Sequence, residues 1–285
     1  MRRDGIEIIS CDDRRMKRLS VIVATAGLLS VALPGGTIHA ASEPASLDSV
    51  VSAIEKQFAK KSSVRFTVKR EGGLPTAGWD MKGSGAYRFR AKGVYAADLT
   101  EITTRRDETG RSRGISIGLD FYSQAYVRTK DGEYTYKSPQ ALGKWRTGRN
   151  LAGVIWGEDL INGINPGFLE LAASHGATST DGGTFEGVKT TLHSGTVTVR
   201  VLGERQAGMF FENEEWSDGS WSGPIVWKLW VGPDNLPRRF HAILRCTPTW
   251  GDGEVETVTM NIIYRGWGSP VRITAPPKRL ITFDW

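Results

Sequence analysis

The sequence is poor in the residues that most often mark chemistry. Only two cysteines and four histidines occur among 285 residues. Cys11 lies before the one long apolar run and Cys246 far beyond it. Loss of the N-terminal segment would leave a single cysteine, so an internal disulfide is excluded and the fold must stand on its core. No cysteine stands directly after the run, so nothing marks a lipid anchor at the mature N-terminus. His175, His193 and His241 have no partners at metal-ligand spacing. There is no glycine-rich phosphate loop and no repeat of fixed period. No dense Lys/Arg stripe is interleaved with aromatics, which argues against nucleic acid as a partner.

The apolar run is itself short. Arg14, Arg15, Lys17 and Arg18 precede Leu19–Leu33, and Pro34-Gly35-Gly36 breaks it. A spanning helix needs about 20 apolar residues. The run, followed by the small residues up to Ala40-Ala41-Ser42, reads as a secretory signal cleaved after Ala40. The expected organisation is therefore a signal over 1–40 and one domain over 41–285, with Met1 or Met16 as the start. Cleavage would remove six basic and four acidic residues, and the formal charge falls from +6 to +4. That mild surplus leaves a weak attraction to anionic lipid surfaces.

What remains is rich in strand and turn formers: 34 glycines, ten tryptophans and 39% hydrophobic residues, enough for a real core. Leu47, Val50, Val51, Ile54 and Phe58 recur at helical spacing, with Ser46 or Asp48 as the cap. The period then switches to two. Val64, Phe66 and Val68 alternate with Arg65, Thr67 and Lys69. The same pattern governs Tyr87–Ala91, Val197–Val201, Phe240–Cys246 and Val258–Tyr264. Each such strand has one apolar and one wet, often basic, face, as in antiparallel sheets covered on one side. Turns are expected at Asp131-Gly132, Asp181-Gly182-Gly183, Asp218-Gly219, Pro233-Asp234-Asn235 and Asp252-Gly253. Asn165-Pro166 opens a second helix with an apolar stripe of Phe168, Leu169, Leu171 and Ala172, ended by Gly176. Residues 204–224, with Glu212, Glu214, Glu215, Asp218 and several aromatics, read as a long loop or hairpin.

Two patterns invite a catalytic reading. Gly114-Ile115-Ser116-Ile117-Gly118 matches a hydrolase nucleophile elbow, which needs a helix after it. Strand-forming residues follow instead, so a glycine-flanked strand is expected. The acids at 212–218 are few and unplaced, and read as a solvated face rather than a glycosidase pair. Trp227 and Trp230 lie in opposite phase on one strand, so they cannot form one sugar platform. Cys246 shares phase with Phe240 and Leu244 and reads as a small apolar residue. No enzyme, metal or cofactor is expected.

Several segments, in order, carry a resemblance. They are Ser63–Val68 after the first helix; Ala125-Tyr126-Val127, Asp131–Tyr136 and Lys144-Trp145-Arg146; Phe168–Leu171 with Glu186–Thr191; Val226–Val231 with Leu236–Arg239; and Tyr264–Gly268 with Pro270-Val271 and Ala275-Pro276-Pro277. Over roughly residues 45–277 the chain resembles the bacterial LolA-like lipoprotein-carrier family, especially its actinobacterial LppX/LprG-like branch. The resemblance implies an α+β fold: a half-open antiparallel β-barrel of about nine to eleven strands wrapped on a few helices, with a hydrophobic cavity between sheet and helices. It implies lipid or lipoprotein acyl chains as partners and no catalytic residues. Many relatives carry a lipid-modified cysteine where this chain has Ala40-Ala41-Ser42, so an exported protein without that anchor is expected.

The residues expected to line such a cavity are Phe66, Val68, Tyr87, Phe89, Phe168, Leu169, Leu171, Val199, Phe240, Leu244, Met260 and Ile262. The same alternation would equally serve a filled core. Two functions follow: an exported carrier of lipid or lipoprotein acyl chains, or a sensor on the same fold that binds a membrane signalling partner. A secreted enzyme or sugar-binding module is the third alternative.

Overall fold

The computed structural model describes residues 46–74, 77–91, 93–105, 108–118, 120–128, 144–149, 161–205, 221–248 and 255–282. The expected signal segment, the turns expected at 131–132, 218–219 and 252–253, and residues 206–220 lie outside the described residues.

Helix α1 (Leu47–Ala59) starts where Ser46 accepts a hydrogen bond from the Ser49 amide, and it buries Leu47, Val50, Val51, Ile54 and Phe58. Its stripe is the one read from the sequence. Strands β1 (Ser63–Leu74), β2 (Ala77–Arg90), β3 (Gly93–Arg105), β4 (Glu108–Ile117), β5 (Asp120–Arg128) and β6 (Trp145–Arg149) follow. Helix α2 (Pro166–Ser174) begins at the Asn165 cap and carries proline in its first turn, where the missing amide costs nothing. Then come β7 (Thr178–Phe185), β8 (Val188–Thr198), α3 (Val199–Arg205), β9 (Trp221–Ser222), β10 (Pro224–Val231), β11 (Pro237–Pro248), β12 (Glu256–Arg265) and β13 (Ile281–Thr282).

The strands form one α+β half-barrel. Their order is β13-β6-β5-β4-β3-β2-β1-β12-β11-β10-β8-β7, with β9 paired to β11. Among the described residues every pairing is antiparallel except the short β13–β6 contact. The two ends of this order, β13 and β7, do not pair, so the sheet stays open. Among the described residues, β9 and β13 are two residues long, and eleven strands are longer.

Three local expectations are corrected. Val199 was expected in an extended run 196–201, but β8 stops at Thr198 and Val199 opens α3. Alternating valines fit a strand, yet Thr198 Oγ1 accepts from the Val201 amide and Val199 N bonds to Gly223 O, which turns the chain. Ala91 lies past the end of β2, in a turn and exposed. Asp181-Gly182-Gly183 is not a turn between strands but an irregularity within β7, where the register shifts between Asp181 and Thr184. The hairpin closes instead at Glu186 and Gly187, with φ of 49° and 79°. Positive φ at both central residues is the type I′ requirement.

The sheet has apolar clusters on both faces. The inner face, under α1 and α2, carries the main core, including Val64, Phe66, Trp227, Phe240 and Tyr264. On the outer face Ala96, Ile115 and Trp145 pack with Val271, Ile273, Leu280 and Ile281 from the chain after β12. That C-terminal stretch is tied down at Ser63, whose carbonyl accepts from Gly268 N at 2.9 Å and whose hydroxyl donates to Ser269 O.

Candidate ligand-binding face

Cross-strand register assigns each side chain to a face. Val64 pairs with Tyr87, Phe66 with Gly85, and Val68 with Gly83, so these six share the inner face. Ile262 faces both Val68 and Phe240, and Met260 faces Ala242. All twelve residues expected to line a cavity are buried and belong to the same apolar cluster. They are brought together as side chains in mutual contact: Phe66 stacks on Tyr87 at 4.4 Å, and Phe168 meets Phe240 edge-on at 5.8 Å. Helix α1 closes one flank through Phe58, whose ring lies 4.8 Å from that of Phe89.

The inner face is uneven. On β8 and β10–β12 it carries large groups: Trp227, Leu229, Phe240, Met260 and Tyr264. On β2–β4 it alternates small residues with large ones: Leu99 lies between Gly85 and Gly114, and Tyr87 beside Ala97 and Ser116. Phe66 leans over Gly85; a Cβ there would lie 2.7 Å from its Cζ. Neither the small residues nor Trp227 and Tyr264 were among the expected lining. For Tyr264, Gly83 and Gly85 the signal existed, because they share phase with Ile262 on β12 or with Tyr87 on β2; Ala97, Gly114, Ser116 and Trp227 lie on strands that supplied no expected lining residue.

Polar groups punctuate the same face. Ser116 is 1% exposed, and its hydroxyl has no partner among the described residues. Its motif lies on β4 and runs through the turn at Gly118 into β5, so no helix follows it. Arg70 is buried on the inner side, and Glu101 accepts a hydrogen bond from Ser112 at 3.4 Å. His193, buried opposite Leu229, is held below its ordinary pKa by loss of hydration. Trp227 crosses Gly195, where a Cβ would lie 3.0 Å from the indole.

The remaining sequence features fall outside this face. Trp230 is on the outer side, beneath Arg239 at 4.7 Å. His241 is also outside, and burial together with Arg239 and Lys228 lowers its pKa. His175 caps α2, its Nδ1 2.9 Å from Leu171 O. Cys246 lies on β11. Among the described residues no group of three or more His, Cys, Asp or Glu could hold a metal, and no helix is long and apolar enough to cross a membrane.

No protein-family profile matches the chain. No curated protein matches it. Among solved structures, the chain is similar to LprF from Mycobacterium bovis, at 15% identity and a TM-score of 0.42, over 81% of this chain and 96% of that one. It is also similar to a DUF1329 family protein from Desulfovibrio piger, at 10% identity and a TM-score of 0.25, over 80% and 95% of the two chains. A LolA superfamily protein from Nitrosomonas europaea is similar at 8% identity and a TM-score of 0.20, over 84% and 98%.

Proposed function

We propose that the protein is an exported carrier of lipid or lipoprotein acyl chains, which it holds against the inner face of the half-open sheet without catalysis. The observation that carries this reading is the unevenness of that face. Large side chains fill the half on β8 and β10–β12, while on β2–β4 Gly83, Gly85, Ala97, Gly114 and Ser116 leave gaps between Met81, Tyr87 and Leu99 around Phe66. An acyl chain laid along β2–β4 would displace the Phe66 ring and the α1 side chains rather than backbone. The sheet's two edge strands stay apart, so its curvature can adjust.

Energy sets what such a face must supply. Exposing a methylene to water costs about 0.8 kcal/mol, so a sixteen-carbon chain costs on the order of 12 kcal/mol. A dry apolar face closed by a helix offsets most of that. The segments that resemble the LolA-like family support the same reading. Export rests on the N-terminal signal pattern, with cleavage after Ala40.

The test is native mass spectrometry of residues 41–285, purified from a lipid-containing host, followed by organic extraction. A bound mass that extracts as lipid supports the carrier. An apo mass, together with failure to take up a fluorescent fatty acid, would sink it.

A further inference from the structure

The outer face carries a groove of its own. Two rows of side chains cross β12, β1, β2, β3 and β4. Arg265 pairs with Arg65, Arg65 with Ala86, and Ala86 with Asp98; in the next row Thr67 pairs with Ser84, Ser84 with Thr100, and Thr100 with Arg113. The small residues Ser84 and Ala86 lie in the middle, on β2. The chain at Val271–Ile273 walls the depression, and Arg272 stands at its rim. The resulting groove has a volume of about 500 Å³, within the usual range for small-molecule sites.

Its charge is lopsided. Four arginines and one aspartate line it. Asp98 is already engaged: Arg113 donates to both its oxygens at 3.0 and 2.8 Å. Arg265 is paired outside the groove with Glu186 and donates to Thr67 Oγ1 at 3.4 Å. Because Thr67 accepts there, its own hydroxyl hydrogen is available to the groove. Arg65 reaches only the neutral carbonyl of Pro270, at 3.4 Å, and Arg272 has no hydrogen bond or ion pair among the described residues. Two arginines without a carboxylate partner, Arg65 and Arg272, therefore line a groove that also holds three hydroxyls.

We propose that this groove binds a phosphate ester. Guanidinium forks match phosphate oxygens two at a time, and the hydroxyls of Thr67, Ser84 and Thr100 supply further donors. The ester is the headgroup of an anionic phospholipid or a soluble polyol phosphate.

The experiment uses the exported protein, wild type and R65A/R272A. Glycerol 1-phosphate binding is measured by calorimetry. Flotation is measured with phosphatidylglycerol and with phosphatidylcholine vesicles. The double variant binds glycerol 1-phosphate on the order of ten-fold more weakly, as expected from losing charge-assisted hydrogen bonds. If the ester is a headgroup, wild type also floats with phosphatidylglycerol alone, and glycerol 1-phosphate competes. If it is soluble, only calorimetry responds. R245A, on the outer face of β11 but away from the groove, behaves as wild type. Equal binding by wild type and R65A/R272A overturns the proposal, and so does an equal loss in R245A. Ser84→Asp, which puts a carboxylate on the floor, is the second variant should the first fail to fold. Fatty-acid uptake by the inner face is unchanged in these variants, so the two sites fail separately.

Discussion

Phe66 on β1 and Gly85 on β2 face each other directly, and the phenylalanine ring occupies the space that a side chain at 85 would need. A Cβ there would lie 2.7 Å from the ring and would also strike the carbonyl of Asp98 on β3. The ring can swing away, but the strand cannot. Gly85→Ala is therefore expected to destabilise the protein by about 1–3 kcal/mol, the usual cost of overpacking. A thermal midpoint unchanged from wild type would show that the ring and β3 yield freely.

His193 sets a pH dependence. Its folded pKa is lowered from the ordinary value of 6.5 because burial penalises the charged imidazole. The unfolded chain takes up the proton first, so stability is complete above about pH 6.5 and is lost as the pH falls below it. His241 is shifted the same way, by burial first and then by Arg239 and Lys228. The thermal midpoint is expected to fall between pH 7 and pH 5. His193→Leu should flatten part of that slope and leave the His241 share. An identical slope in the variant would mean that other groups carry the acid sensitivity.

How much of this was readable beforehand depends on the element. The five buried positions of α1 and the Asn165-Pro166 start of α2 follow from periodicity and capping alone. The inner faces of β1, β11 and β12 follow from alternation. Val199 does not, because a valine pattern of period two cannot reveal that Thr198 will cap a helix. Nor does the outer cluster of Ile115, Trp145 and Ile273, which depends on an irregular C-terminal stretch crossing distant strands. The small residues interspersed with Tyr87 and Leu99 on the inner face of β2–β4 were hidden for a related reason. Glycine and serine carry no hydrophobic signal, and only cross-strand register aligns them.

The tip of the β7–β8 hairpin is fastened across the sheet. Arg265 Nε lies 3.1 and 2.9 Å from the two carboxylate oxygens of Glu186. The Arg265 hydrogen bond holds the Glu186 carboxyl below its usual range. That contribution is present above the ordinary carboxylate pKa and is lost as the pH falls through the lowered one. Both side chains are 45% exposed, so solvent screening keeps the pair's worth to about 0–1 kcal/mol. Glu186→Gln should lower the thermal midpoint by no more than about 2–4 °C. It should also raise amide exchange locally at 185–188. A drop far beyond that range would mean the hairpin is part of the core's cooperative unit.

Phe168 separates a filled core from one that accepts a guest. It is fully buried, with Trp227 at 5.7 Å and Phe240 at 5.8 Å, both edge-on. Truncation to alanine removes those contacts and leaves a void, at a cost of about 3–5 kcal/mol. In a core that never opens, the deficit is the same with and without lipid. In a carrier, an acyl chain bound against the inner face fills part of the void, and binding to the folded state alone stabilises it. The gap in thermal midpoint between Phe168→Ala and wild type should therefore narrow when a long-chain fatty acid is added. A gap that stays constant across a fatty-acid titration, in protein shown by circular dichroism to be folded, would count against acyl chains occupying this face.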